Sequence, residues 1–142
     1  MIPKRRYVRE AVLEATFQLD FIEGIEYENV IDLLRDLLKE KKVPQNLFEE
    51  GEIYLQNILE NKDRYDEYIK KYLINWDFDR VANIEKTILR LAIFELEKRK
   101  DIPPKVILDE AVELAKKYSN EKSAKFINGI LDKIAKEEFK RL

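Results

Sequence analysis

The sequence predicts an all-α fold of about seven helices, arranged as one domain or as two small halves sharing a core. Three observations carry this. The 142 residues are 45% hydrophobic and 39% charged, rich in Lys, Glu, Leu and Ile, which is a helical composition with enough apolar mass for a core. Only 3 Gly and 4 Pro occur, which leaves little room for long loops. The stretch from Asn75 and Trp76 to Leu96, NWDFDRVANIEKTILRLAIFEL, is apolar on two faces at helical spacing. Val81, Ile84, Ile88 and Leu91 form one stripe, and Leu89, Ile93 and Leu96 a second. A helix apolar on two faces is packed on two sides, so this one is expected at the centre. Its remaining polar strip is Asn83, Lys86, Arg90 and Glu97.

The other elements follow in order. Residues 1–5 read as a short arm broken by Pro3. A first helix is expected from about Arg6 to Glu23, with Val8, Ala11, Val12, Ala15, Leu19 and Ile22 inward and Gly24 as its stop. Tyr27 to Lys41 is a second, burying Val30, Leu33, Leu34, Leu37 and Leu38, and Lys41 to Asn46 is a linker because Pro44 cannot extend a helix. Leu47 to Asn61 is a third, with Phe48, Ile53, Leu55, Ile58 and Leu59 on its apolar side. Lys62 to Ile74 is a fourth, unless the two are one helix bent near Asn61. Asp77 to Val81 is a short helical turn leading into the central helix. Pro104 to Tyr118 follows, with proline tolerated in a first turn because its missing N–H has no helical partner there. Glu121 to Phe139 is the last, with Ala124, Ile127, Leu131 and Ile134 on its core face. Gly129 inside it costs about 1 kcal/mol against alanine, which a tight approach by another helix would justify.

Composition also excludes. With no cysteine and no histidine, the chain has no disulfide, no thiolate or imidazole metal ligand and no imidazole general base. Asp77/Asp79, Asp109/Glu110 and Glu137/Glu138 are paired carboxylates without the glycine turns of a calcium loop, and no phosphate loop or nucleophile elbow occurs. No enzyme, no cofactor and no metal are expected. No apolar run reaches the ~20 residues of a membrane helix, so a cytoplasmic protein without a membrane partner is the default.

Net charge is only −2, but its distribution is uneven. Lys4, Arg5, Arg6 and Arg9 cluster at the opening of the chain, where guanidinium forks suit phosphate; the plainer reading is a solvated basic end. A second basic run holds Lys116, Lys117, Lys122 and Lys125. Phe126 lies one residue off the core stripe beside Lys125, placed to offer its ring to an unstacked base. On the residues alone the plainer reading, that Phe126 pairs with Ile130 and widens the core, is the stronger. Lys86 and Arg90 form a like-charged i,i+4 pair on the central helix, either a partner-facing strip or a solvated face.

Three blocks together resemble the NusB family of bacterial transcription antitermination factors: RRYVREAVLEATFQLDF from Arg5, VANIEKTILRLAIFEL from Val81, and IPPKVILDEAVELAKKYSNEKSAKFINGILDKIAKE from Ile102. Residues 25–72 add mainly helical character. The resemblance implies two packed helical subdomains, an N-terminal half of about 1–61 and a C-terminal half of about 62–142. It implies binding of single-stranded boxA RNA in ribosomal RNA leaders together with the small-subunit ribosomal protein NusE, within an antitermination complex on RNA polymerase, and it admits a homodimer. Carried over, the RNA surface comprises Lys4, Arg5, Arg6, Arg9, Lys125 and Phe126, which become neighbours if the last helix packs beside the first. The partner surface comprises Glu85 and Arg90. Lys122 departs from the acid or small polar residue common there, adding positive charge. Two rivals stand beside this reading. One is the helical domain that precedes ribosomal RNA cytosine methyltransferases, although no such domain follows before Leu142. The other is a helical module that binds only protein.

Overall fold

The computed structural model describes residues 4–22, 24–74 and 77–142, so the expectations for Pro3, Glu23 and Trp76 lie outside the described residues. Among the described residues there are seven α-helices and no strand. They are α1 (Lys4–Leu19), α2 (Tyr27–Glu40), α3 (Phe48–Glu60), α4 (Lys62–Lys71), α5 (Asn83–Lys98), α6 (Pro104–Tyr118) and α7 (Glu121–Glu137), with single 3₁₀ turns at Gln45–Leu47 and Phe78–Arg80. Two compact units divide the chain, Met1–Glu60 and Asn61–Leu142.

In the first unit α1, α2 and α3 pack pairwise. Helix α1 begins at Lys4, so Lys4 and Arg5 are helical rather than part of an arm. It closes at Leu19 through i→i+3 bonds from Asp20 and Phe21. Ile22, expected inward, is exposed past this end. Val8, Ala11, Val12, Leu13 and Ala15 are fully enclosed. Gly24 adopts φ +70°, the left-handed conformation that glycine reaches without strain. Helix α2 ends with Val43 N–H donating to Leu38 O at 3.0 Å, which turns Lys42 to φ 60° and tucks Val43 into the core.

Helix α3 is rotated relative to the sequence expectation. Ile53 is exposed, and Gly51, Tyr54, Leu55 and Ile58 face inward. A Cβ on Gly51 would meet Leu38 at 3.4 Å, Val8 at 3.7 Å and Leu34 at 3.8 Å. The glycine is therefore the flat floor on which three aliphatic side chains rest, and hydrophobicity alone does not mark such a position.

The second unit is built around α5, which packs against α4, α6 and α7. All ten residues from Thr87 to Leu96 are buried, as a helix apolar on two faces requires. Glu85 Oε1 accepts from the Ala82 N–H at 3.2 Å and caps the helix start. Helix α6 begins at Pro104, the start its prolines set, and ends at Tyr118 after a basic last turn. In α7, Ile127, Ile130, Leu131, Ile134 and Ala135 face the core. Gly129 corrects an expectation: an added Cβ would meet nothing within 4 Å, so no close helix approach explains it.

Helices α4 and α5 are tied by a charged ladder. Arg90 Nε and Nη2 donate to the two Asp66 carboxylate oxygens at 2.7 and 2.9 Å, and both residues are 7% exposed. At the far end Arg64 forks onto both Glu97 oxygens, with Nη2 to Oε1 at 2.6 Å, and the Tyr65 hydroxyl donates to the same carboxylate at 3.2 Å. Arg141 closes the same, C-terminal end of α5, donating to Leu96 O at 2.9 Å and to Ile102 O of the following loop at 2.5 Å. The last carbonyls of a helix, that of Leu96 among them, have no partner within the helix itself.

The Arg64 hydrogen bonds hold Glu97 below the ordinary carboxylate range, against the opposing push of partial burial. The unfolded chain takes up that proton more readily than the native one. The contribution to stability is therefore complete above the unfolded value and is lost as pH falls through the lower native value. Glu97→Gln is expected to flatten the acid limb of stability against pH below about pH 4, read from urea melts. An unchanged acid limb in that variant would show that the ladder's outer pair adds nothing.

Candidate nucleic-acid interface

The basic opening of the chain lies on the first two turns of α1. Lys4 is exposed, and Arg5 and Arg6 are half-buried. Arg5 Nε donates to Glu50 Oε1 of α3 at 2.9 Å, with the arginine side chain 41% exposed, so its fork is held yet still reachable. Arg9 differs: it is 3% exposed. As the helix turns, positions 8–13 all enter the core, and Arg9 goes in with them. The expectation of Arg9 as a solvent-facing RNA contact is corrected, and the accessible positive charge of α1 is that of Lys4, Arg5 and Arg6. One turn on, Lys41 Nζ stands 2.6 Å from Glu14 and 3.7 Å from the nearly buried Glu10.

The second unit presents its basic run where α6 gives way to α7. Asn120 caps α7, its side-chain oxygen accepting from the Ser123 N–H at 2.8 Å, while the Ser119 and Ser123 hydroxyls pair at 2.8 Å. This fixes the first turn of α7. Lys122 and Lys125 are exposed there, Phe126 is half-buried, and Asn128 and Gly129 are exposed. Ile130 takes the core position on this side. Phe126 thus sits half-buried at the edge of the apolar stripe, next in sequence to the exposed Lys125. A helix start also carries partial positive charge, which adds to the lysines' pull on an anion.

The partner residues fare differently from each other. Glu85 is half-buried, with one oxygen committed to the α5 cap. Arg90 is no surface residue: the Asp66 pair encloses it, which corrects its place in an exposed polar strip. The sequence held a signal for this, since Arg90 lies between Leu89 and Leu91, one from each stripe.

Comparison with known proteins bears on this arrangement. The family model described as the NusB family matches residues 6–136. The transcription antitermination protein NusB of Bacillus subtilis is 42% identical over 131 residues, covering 92% of this chain and 94% of its own. Among solved structures, NusB of Thermotoga maritima superposes with a TM-score of 0.84 at 40% identity, covering 96% of this chain and 92% of that one. A NusB solved with the antitermination factor NusE and double-stranded RNA superposes with a TM-score of 0.80 at 27% identity, covering 96% of this chain and 98% of that one.

Proposed function

The chain belongs to the NusB family, and from that membership we propose that it is an antitermination adaptor that binds boxA RNA of ribosomal RNA leaders together with NusE. It works without catalysis and in the cytoplasm, where transcription runs. The observation that carries the reading is the capped start of α7, whose first two turns carry the exposed Lys122 and Lys125 and the half-buried Phe126. Charge there binds phosphate regardless of sequence, and a ring holds an unpaired base by stacking. Lys4, Arg5 and Arg6 add phosphate contacts from α1. Glu85 offers its carboxylate to the protein partner, and Arg90 acts one turn away by fixing α4 against α5. The relative solved with NusE and RNA supports both kinds of partner.

Fluorescence anisotropy with boxA RNA, a scrambled strand and a duplex, each with and without NusE, tests this. With about five phosphates engaged, log affinity is expected to fall with log salt at a slope of about −3 to −4 on a single strand. BoxA should be preferred over the scrambled strand, most clearly with NusE present. Equal binding of boxA and scrambled RNA in the presence of NusE would overturn the reading.

A further inference from the structure

The first unit exposes apolar side chains where α1 gives way to α2. Phe21 is 63% exposed, Ile22 45% and Tyr27 43%. The ring of Phe21 is held rather than loose: its N–H donates to Gln18 O at 3.1 Å, and the ring stands edge-on to Phe17 with centroids 5.0 Å apart. Tyr27, at the start of α2, lines a cleft with Gln56, Leu59 and Glu60 of α3. The cleft measures about 370 Å³ and is open to solvent. That is the small end of ligand pockets, suited to a side chain entering from outside rather than to an enclosed small molecule.

Side-chain contacts show which helix ends meet here. Lys41, just past α2, reaches Glu10 and Glu14, so α2 returns along α1. Arg35 reaches Glu52 at 2.5 Å while Tyr27 meets the last turns of α3, so α3 runs back along α2. The end of α1, the start of α2 and the end of α3 therefore share one end of the unit. Lys4, Arg5 and Arg6 occupy the other, where Arg5 meets Glu50. The 16 residues of α1 separate the two ends by about 24 Å, some three Debye lengths at physiological salt, so the basic opening does not mask the charge at the far end. That charge is negative. From Gln18 to Leu34 the sequence carries Asp20, Glu23, Glu26, Glu28 and Asp32 and no Lys or Arg. Glu26, Glu28 and Glu60 are exposed. The Tyr27 hydroxyl is raised above its ordinary value, first by partial burial and then by the charges of Glu52, Glu60 and Glu28, against the opposing pull of Arg35.

An exposed apolar patch marks a place of contact, and the charge around it decides the occupant. Carboxylates repel phosphate, so neither an RNA strand nor an anionic membrane suits this corner. A second copy docked by a twofold axis would set the same carboxylates against one another. We propose that the α1–α2 corner docks a lysine- or arginine-bearing apolar segment of a partner protein. One apolar side chain of that segment enters the cleft beside Tyr27 and Leu59, others cover Phe21 and Ile22, and its cations meet Glu26, Glu28 and Glu60. The surface goes beyond the RNA-binding reading and does not rest on it.

The test uses the full chain, labelled with nitrogen-15, and two synthetic peptides of about four helical turns. One is an amphipathic leucine–lysine peptide; the other keeps the leucine pattern with glutamate for lysine. The lysine peptide is expected to shift amide signals of residues 18–30 and 56–60, and the glutamate peptide to shift none. F21S/I22S should weaken the lysine peptide about tenfold. E26Q/E28Q/E60Q should weaken it about fivefold at low salt and hardly at all at about 1 M, where the charges are screened. All the altered side chains are exposed, so both variants should melt close to the parent. Equal binding of the two peptides, or unchanged binding in F21S/I22S, would overturn the proposal. So would signal shifts confined to residues outside these two stretches. If the parent chain sediments as a dimer and F21S/I22S as a monomer, a second copy covers the corner and the proposal is wrong. If boxA RNA shifts the same amides, the corner belongs to the RNA surface and the proposal is likewise wrong.

Discussion

Asp66→Ala is expected to destabilise the protein by about 3–5 kcal/mol, the largest effect of any single change considered. The loss is not the worth of the ion pair itself. It is the cost of leaving the Arg90 guanidinium, 7% exposed, without the two oxygens that now sit 2.7 and 2.9 Å away. Domains of this size have about 5–15 kcal/mol of stability to lose, so the variant should be near the edge of folding at moderate temperature. Urea melts followed by circular dichroism would read the change. Replacing both partners, Asp66→Leu with Arg90→Met, should recover much of the loss, because no charge is then stranded. A single Asp66→Ala variant within about 1 kcal/mol of the parent would mean that water reaches Arg90 in solution.

Phe126→Ala is expected to weaken boxA binding by about 1–3 kcal/mol, or roughly five- to 150-fold in Kd, if a base stacks on the ring. Stability must be separated from binding here, since part of Phe126 is buried against the unit. Phe126→Leu keeps most of the apolar bulk and removes only the flat face. It should therefore melt close to the parent and still lose most of the affinity. Phe126→Trp should bind at least as well as the parent. Wild-type affinity in Phe126→Leu would leave Phe126 as a core residue with no part in holding the strand.

What the sequence made legible follows from the reach of each interaction. Helix α6 could be bounded to the residue because its signals are local: Pro103 and Pro104 at the start, and a basic last turn at the end. Helix α5 was legible as central because two apolar stripes leave no solvent face. The enclosure of its buried arginine was not. Arg90 looks like a surface arginine until it meets Asp66, 24 positions earlier in a stretch, DRYDEYIKK, that reads as solvated. Arg9 was misplaced for a similar reason, since four nearby cations suggest an outside face while the turn of α1 carries only some of them outward. The face of α3 was hidden by Gly51, whose contribution is the absence of a side chain. The candidate site divides the same way: the charges and the ring could be named from their neighbours in sequence, but not which of the charges α1 carries into its core, since Arg9 is 3% exposed.

The ladder between α4 and α5 also narrows how the chain can go wrong. Sliding α4 by one turn in one direction would bring Lys70 level with the enclosed Arg90, and sliding it the other way would bring Lys62 there. Both mispairings force a lysine against a guanidinium in a water-poor seam, and each strips Arg90 of its carboxylate. Slippage between two otherwise adaptable apolar surfaces is thus penalised on either side of the native register. An arrangement that adds little net stability over an oily seam still leaves the collapsing chain with a single alignment to settle in.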